Sequence, residues 1–243
     1  MDQTVEKLKK RIEEIRARAE TPIVRIDEFQ AWEDERTEEI NSLPPTNDGF
    51  TMHVGDFWSS LDGYLWLKVI TRVPDLEDGY KIIGYFDFDS IHEGYATGFE
   101  SMLYVNGKPY QGVDENHKIV ILDAFAGQEV ELTFQLWAGI TGGPKSRIYH
   151  QIKAAWLGRL DTEVEEFGLL AQMTLEQAQV LPKEDSRMMI LIKALDQSLS
   201  LIHWNGGEDV WNSSMGEAKK SLEQELDKYP ERAPFTVHCA GHT

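Results

Sequence analysis

The apolar positions change period along this chain. Over residues 4–20, Val5, Leu8, Ile12, Ile15 and Ala19 recur at intervals of three and four, with charged residues between them. That is the period of one helical face. Pro22 follows and predicts the end of the helix. The seam predicts docking, either on the body of the same chain or on a second subunit. Residues 22–49 show neither period and read as a connector. They hold Trp32, the Leu43-Pro44-Pro45 break and the turn signal Asn47-Asp48-Gly49.

Residues 50–150 carry short apolar runs separated by turn residues. Strands are predicted over residues 64–73, 80–88, 98–105, 118–122 and 130–138, with Asp78-Gly79, Asn106-Gly107 and Gly127 between them. Asn-Gly between Val105 and Lys108 predicts a hairpin, because a type I′ turn needs positive φ at both central residues. Short strands at regular spacing predict an antiparallel β-sandwich or jelly roll. The imperfect alternation of Leu65-Trp-Leu-Lys-Val69 suits a strand partly covered on both faces.

Residues 151–230 return to the helical period. Trp156, Leu157, Leu160, Val164, Phe167 and Leu170 fit one face, and Leu191, Leu195, Leu199 and Ile202 another. The second is expected to end at Asn205-Gly206-Gly207, where glycine takes a left-handed cap. Ser214-Met-Gly-Glu217 has capping-box spacing and predicts the start of a third helix, running to about Tyr229.

Composition narrows the function classes. The 243 residues carry a formal net charge of −18. That opposes nucleic acid and anionic membrane surfaces, which need clustered Lys and Arg. One cysteine, Cys239, excludes an internal disulfide and a Cys-rich zinc site. The first ten residues lack the apolar core of a secretory signal, and the longest strongly apolar run, residues 188–192, is too short to span a bilayer. A cytoplasmic protein is expected.

Candidate chemistry is sparse. His53, His92, His117, His150 and His203 are scattered, and none has the spacing that sets two imidazoles on one helix face. His117 is expected to fasten the loop after the Asn106-Gly107 hairpin, with Asp114. Asp87-Phe-Asp89 reads as a strand with one polar face rather than a calcium loop. Residues 139–145 hold glycines and a lysine, but Pro144 removes a backbone N–H and the phosphate-loop pattern is missing. A turn is expected there. Trp58, Tyr64, Trp66, Tyr85, Tyr95, Tyr104, Tyr110 and Trp137 crowd the β region. Most aromatics of a sandwich are core. Trp58 and Tyr110, near predicted turns, are the candidate carbohydrate contacts.

The tail is informative. Residues 235–239 form a run of strand formers after Pro234, and Ala240-Gly241-His242 makes a turn at its tip. A strand delivering a His to an open end is how α/β barrels build their chemistry. No helix follows in this sequence, so the chain is expected to be the front part of a larger enzyme.

Val237, Gly241, His242 and Thr243 match the first half of V-x-x-x-G-H-x-H-x-D, and Glu100-Ser-Met-Leu-Tyr-Val-Asn-Gly-Lys-Pro-Tyr-Gln-Gly-Val-Asp-Glu-Asn-His117 matches a second block. Gly127-Gln-Glu-Val-Glu-Leu132 and Ala194-Leu-Asp-Gln-Ser-Leu199 agree further. On these residues the chain resembles the bacterial α-mannosidases of glycoside hydrolase family 38, over most of residues 30–243.

The resemblance implies an α+β chain. Residues 1–49 would be a helix and connector. Residues 50–150 would be a jelly-roll, galactose-binding-like antiparallel sandwich. Residues 151–232 would be a helical segment, and residues 233–243 the first strand of a catalytic barrel. It implies a parent enzyme that hydrolyses terminal α-mannosides with retention and holds zinc. The ligands of the tail motif would fall at positions 244 and 246, beyond Thr243. His242 would lie near the metal without binding it. No catalytic residue and no zinc ligand carries over onto this chain, which is expected to be inactive alone. Expected partners are an α-mannoside or oligosaccharide substrate of the parent and a second copy of the chain, with no nucleic acid and no membrane. The alternatives are a free-standing carbohydrate-binding module and an oligomerisation module built on the residue 4–20 helix.

Overall fold

A computed structural model describes residues 2–34, 44–45, 48–59, 63–89, 99–138, 149–182 and 184–228. It is an α+β protein of antiparallel sheets and helices. The chain divides into two compact units. One is Glu20–Thr162; the other joins Met1–Ala19 to Glu163–Thr243.

The first unit is the sandwich. Its strands are β1 (Glu20–Arg25), β2 (Glu28–Asp34), β3 (Phe50–His53), β4 (Phe57–Trp58), β5 (Tyr64–Arg72), β6 (Tyr80–Asp87), β7 (Glu100–Val105), β8 (Lys108–Asp114), β9 (Ile119–Ile121), β10 (Glu129–Trp137), β11 (His150–Gln151) and β12 (Ala154–Asp161). They form a six-stranded sheet ordered β3-β2-β5-β10-β7-β8 and a four-stranded sheet ordered β1-β12-β6-β9, with the short ribbon β11-β4 beside them. All paired strands are antiparallel.

The inner faces meet in one core. Phe29, Phe86, Phe88 and Phe134 lie at its centre, packed ring against ring with Phe99 against Phe88. Burying each such side chain contributes about 1.5–3 kcal/mol. β5 is covered on both faces, as its imperfect alternation predicts. Leu65 and Leu67 point into the core, while Trp66 joins Trp32 and Tyr104 in a second cluster. The Trp66 indole N–H donates to Asp34 at 3.0 Å, which satisfies the donor that burial would otherwise strand.

Asn106 (φ 50) and Gly107 (φ 73) turn β7 into β8 with the positive φ that a type I′ hairpin demands. The Asn106 side chain also accepts from the Glu131 N–H at 2.9 Å, which ties the turn to β10.

The sandwich is larger than residues 50–150. The expected connector contributes β1 and β2, which follow α1 directly. Pro22 does not continue a helix, but an edge strand tolerates it. β1 is such an edge, and its register shifts between Pro22 and Val24.

At the other end, residues 154–161 are the strand β12, where a helical face was expected. Trp156 and Leu157 point to opposite faces of a sheet instead of sharing one side of a helix. Gly158 shows why the strand fits. A Cβ there would lie 2.2 Å from the Thr21 carbonyl oxygen of β1.

The second unit contains α1 (Asp2–Ala19), α2 (Thr162–Val180), α3 (Ser186–Ser200) and α4 (Glu208–Leu226). Leu8, Ile12, Ile15 and Ala19 are buried, so the α1 seam docks within its own chain. Lys7 meets Asp196 of α3 at 2.7 Å, and α2 approaches α1 at Gly168, where a Cβ would lie 2.7 Å from Arg16 Cγ.

Two expected caps fall elsewhere. α3 ends at Ser200 with its cap Leu201 in the right-handed region, and Gly207 is the N-cap of α4. Ser214 lies inside α4, where its hydroxyl donates to Trp211 O at 2.9 Å and accepts from the His203 N–H at 3.0 Å. The true start of α4 carries no side-chain cap, so no cap signal marks it. No described helix is long and apolar enough to cross a membrane.

Candidate functional site

The candidate carbohydrate contacts lie in very different surroundings. Trp58 is 3% exposed, and its indole N–H donates to Phe88 O at 2.8 Å. Its ring is stacked on His150, with centroids 4.7 Å apart and planes 28° from parallel. No ring face is open to a sugar. The expected contact at Trp58 is therefore a core position, because the short β4 strand turns this residue inward and Phe57 outward.

His150 is fully buried. One ring nitrogen lies 3.2 Å from an Asp89 carboxylate oxygen and the other 3.0 Å from Ala138 O. Sequence spacing hid this pair, since Asp89 and His150 meet only when β11 docks beside the end of β6.

Tyr110, unlike Trp58, lies at the surface. It is 42% exposed. The β7–β8 register shifts between Leu103 and Tyr104, which pair with Gln111 and Pro109, so Tyr110 is the extra residue of a bulge. A bulge breaks the strict alternation of side chains. Tyr110 and its neighbour Gln111 consequently both reach β9. The Tyr110 hydroxyl donates to Ile121 O at 2.7 Å and the Gln111 amide to Ile119 O at 2.9 Å. These bonds stitch the edge of one sheet to the edge of the other. The Tyr110 ring meets Phe125 edge-on at 5.6 Å. Its hydroxyl is occupied, and the exposed part of the ring is what a ligand can touch.

His117 does fasten the loop after the hairpin with Asp114. Its Nδ1 lies 2.9 Å and 3.0 Å from the two carboxylate oxygens, and Asp114 Oδ1 accepts from the Asn116 and His117 N–H groups. Burial pushes the Asp114 carboxyl up, but these bonds together outweigh it and hold the group below the usual aspartate range.

The strand with one polar face expected over Asp87-Phe-Asp89 reaches only to Asp87; Asp89 lies just past β6, and both carboxylates are buried. Asp87 pairs with Lys118 at 3.0 Å, and Asp89 faces His150. Burial pushes Lys118 down, but the Asp87 bond and charge leave it above its ordinary value. Burial also raises the phenol of Tyr85, and Asp87 adds to the rise. Tyr85 stacks on its cross-strand partner Trp156 at 5.2 Å.

None of these groups makes a nucleophile and base aimed at one open point. An open groove of about 480 Å³ in the helical unit is lined by Thr4, Met189, Ile190, Ile192, Lys193 and Asp196, and its carboxylate is already bound to Lys7. Among the described residues no three His, Cys, Asp or Glu side chains converge as a metal site. His242, His92 and residues 139–145 lie outside the described residues.

No family model matches the chain, and no curated protein matches it. Solved structures similar to part of it include three β-glucuronidases. The β-glucuronidase of Faecalibacterium prausnitzii is 12% identical with a TM-score of 0.43, over 59% of this chain and 32% of that one. A β-glucuronidase of an uncultured Clostridium sp. is 12% identical with a TM-score of 0.38, over 58% and 30%. The Ruminococcus gnavus β-glucuronidase is 15% identical with a TM-score of 0.34, over 58% and 30%. The chain thus spans about a third of the length of each.

Proposed function

We propose that this chain is a non-catalytic accessory region of a glycoside hydrolase, and specifically of a retaining α-mannosidase similar to family 38. The supporting observation is the Glu100–His117 block. The residues that carry the resemblance are also those that shape one local structure. Asn106 and Gly107 make the turn, Tyr110 and Gln111 close the sandwich edge from a bulge, and Asp114 binds His117. These six residues tie the hairpin turn, the sandwich edge and the following loop into one local structure.

On this reading the chemistry belongs to residues beyond Thr243. There an aspartate would attack the anomeric carbon, expel the protonated aglycone and form a glycosyl ester that water then cleaves. Zinc bound there would hold neighbouring hydroxyls of the mannose. The sandwich and helices supply packing and subunit contacts. The test compares the 243-residue chain with a product of the same gene extended past codon 243. Release of nitrophenol from nitrophenyl α-mannoside by the extended product alone is the expected result. Turnover by the short chain, or none by either, overturns the reading.

A second reading, a free-standing carbohydrate-binding module, is favoured by the half-exposed ring of Tyr110. Saturable mannoside binding that Tyr110→Ala abolishes, with an immediate stop codon after 243, would favour it.

A further inference from the structure

We propose that Asn205, in the loop between α3 and α4, is a site of spontaneous deamidation, converted to aspartate or isoaspartate through a succinimide that Gly206 closes. The sequence holds two Asn-Gly steps, Asn106-Gly107 and Asn205-Gly206. Glycine after asparagine favours the reaction, because without a Cβ its nitrogen is open to approach and its dihedrals adjust freely. The glycine nitrogen attacks the asparagine Cγ and gives up its proton to water. The new N–Cγ bond closes the succinimide ring, and the side-chain nitrogen takes up a proton and leaves as ammonia. Water then opens the ring at one carbonyl to give aspartate, or at the other to give isoaspartate, with the chain routed through Cβ. Water is the sole co-reactant.

The two steps differ in what restrains them. Asn106 is exposed, but its polar groups are committed to Glu131. Its N–H donates to Glu131 O and its side-chain oxygen accepts from the Glu131 N–H, each at 2.9 Å. Ring closure needs rotation about Cα–Cβ and Cα–C, so that Cγ swings over the next nitrogen. At Asn106 that motion breaks the side-chain bond to Glu131 and disturbs a turn pinned between β7 and β8 at a φ of 50°. Reaction there waits for the hairpin to open.

Asn205 is exposed as well, and among the described residues nothing bonds its side-chain amide. Its restraint falls on the attacking group instead, since the Gly206 N–H donates to His203 O at 2.9 Å. That is a single turn bond at an exposed bend, followed by a second glycine, Gly207. It opens at far less cost than a hairpin ladder. The fold also accepts the product. Asn205 lies two residues before Gly207, the N-cap of α4, which offers no side-chain cap. A helix start favours a new carboxylate. Glu208 and Asp209 oppose it, while the Arg18 guanidinium, 3.4 Å from the adjoining Trp204 O, attracts it.

The test is peptide mapping by mass spectrometry of the full 243-residue chain, aged in mildly alkaline buffer both folded and in urea. Each conversion adds about 1 Da, and chromatography separates isoaspartyl from aspartyl peptides. In the folded chain Asn205 is expected to convert at least about tenfold faster than Asn106. In urea the ratio should fall towards unity, because glycine follows both. Asn205→Gln, whose longer side chain would have to close a larger ring, should abolish conversion at that position and leave the rate at Asn106 unchanged. Equal rates in the folded chain overturn the proposal, as does the absence of conversion at Asn205. A ratio that persists in urea overturns it too, since local sequence and not the fold would then set the difference. Asn205→Asp should keep the parent's Tm; a lower Tm would overturn the claim that the fold accepts the product.

Discussion

The His150 imidazole lies over the Trp58 indole, with ring centroids 4.7 Å apart, and both rings are buried. Each ring also spends its polar atoms on the surrounding chain. Trp58 bonds Phe88 O, and His150 bridges Asp89 and Ala138 O. The pair ties the two-residue strands β4 and β11, which have almost no ladder of their own, to the end of β6 and to the residue after β10.

His150→Phe separates stacking from hydrogen bonding. It keeps an aromatic ring over Trp58 and removes both polar bonds at the centre of the pair. The expected loss is about 2–4 kcal/mol, because a buried carboxylate and a buried carbonyl each give up a partner. Urea unfolding checks this. A variant as stable as the parent would mean that stacking alone holds the ribbon.

Gly158→Ala tests the β1–β12 approach. The added Cβ would meet the Thr21 carbonyl at 2.2 Å, and backbone cannot swing aside as a flexible side chain does. A loss of about 1–3 kcal/mol is expected. Hydrogen exchange should localise it to residues 20–25 and 154–161. Unchanged protection there would refute the close contact.

Asp114 gives the pH dependence. Its carboxyl is held below the ordinary aspartate value in the folded chain. The stability it contributes is therefore fully present above the unfolded value and is lost as pH falls through the folded one. The group is partly exposed, so screening limits the effect to about 0.5 kcal/mol. Asp114→Asn should be less stable than the parent by that amount at neutral pH, and the gap should close in acid. Urea midpoints measured from neutral to strongly acid pH check this; a gap that grows on acidification would contradict the sign.

The helix α1, the strands β5, β6 and β10, and the Asn106-Gly107 hairpin were all legible in the sequence. Each is specified locally, by a period repeated over several residues or by a turn that only certain residues can make. The Asp114–His117 clasp was legible for the same reason, as its members are three residues apart. The candidate contacts divide along the same line. Tyr110 owes its exposure to a bulge in its own hairpin, whereas the burial of Trp58 depends on residues 30 and more positions away, at Phe88 and His150.

The sequence alone determined that an amphipathic helix, a run of short strands and further helices follow one another, and that the chain is acidic with one cysteine. Only the tertiary structure decided that residues 20–34 join the sandwich, that residues 154–161 are a strand, and that His150 meets Asp89. Periodicity reports which side of an element is covered. It does not report what covers it. A strand buried on both faces loses its period, and an edge strand with a proline and a bulge hardly has one. Those elements take their form from partners distant in sequence, such as the Thr21 carbonyl for Gly158.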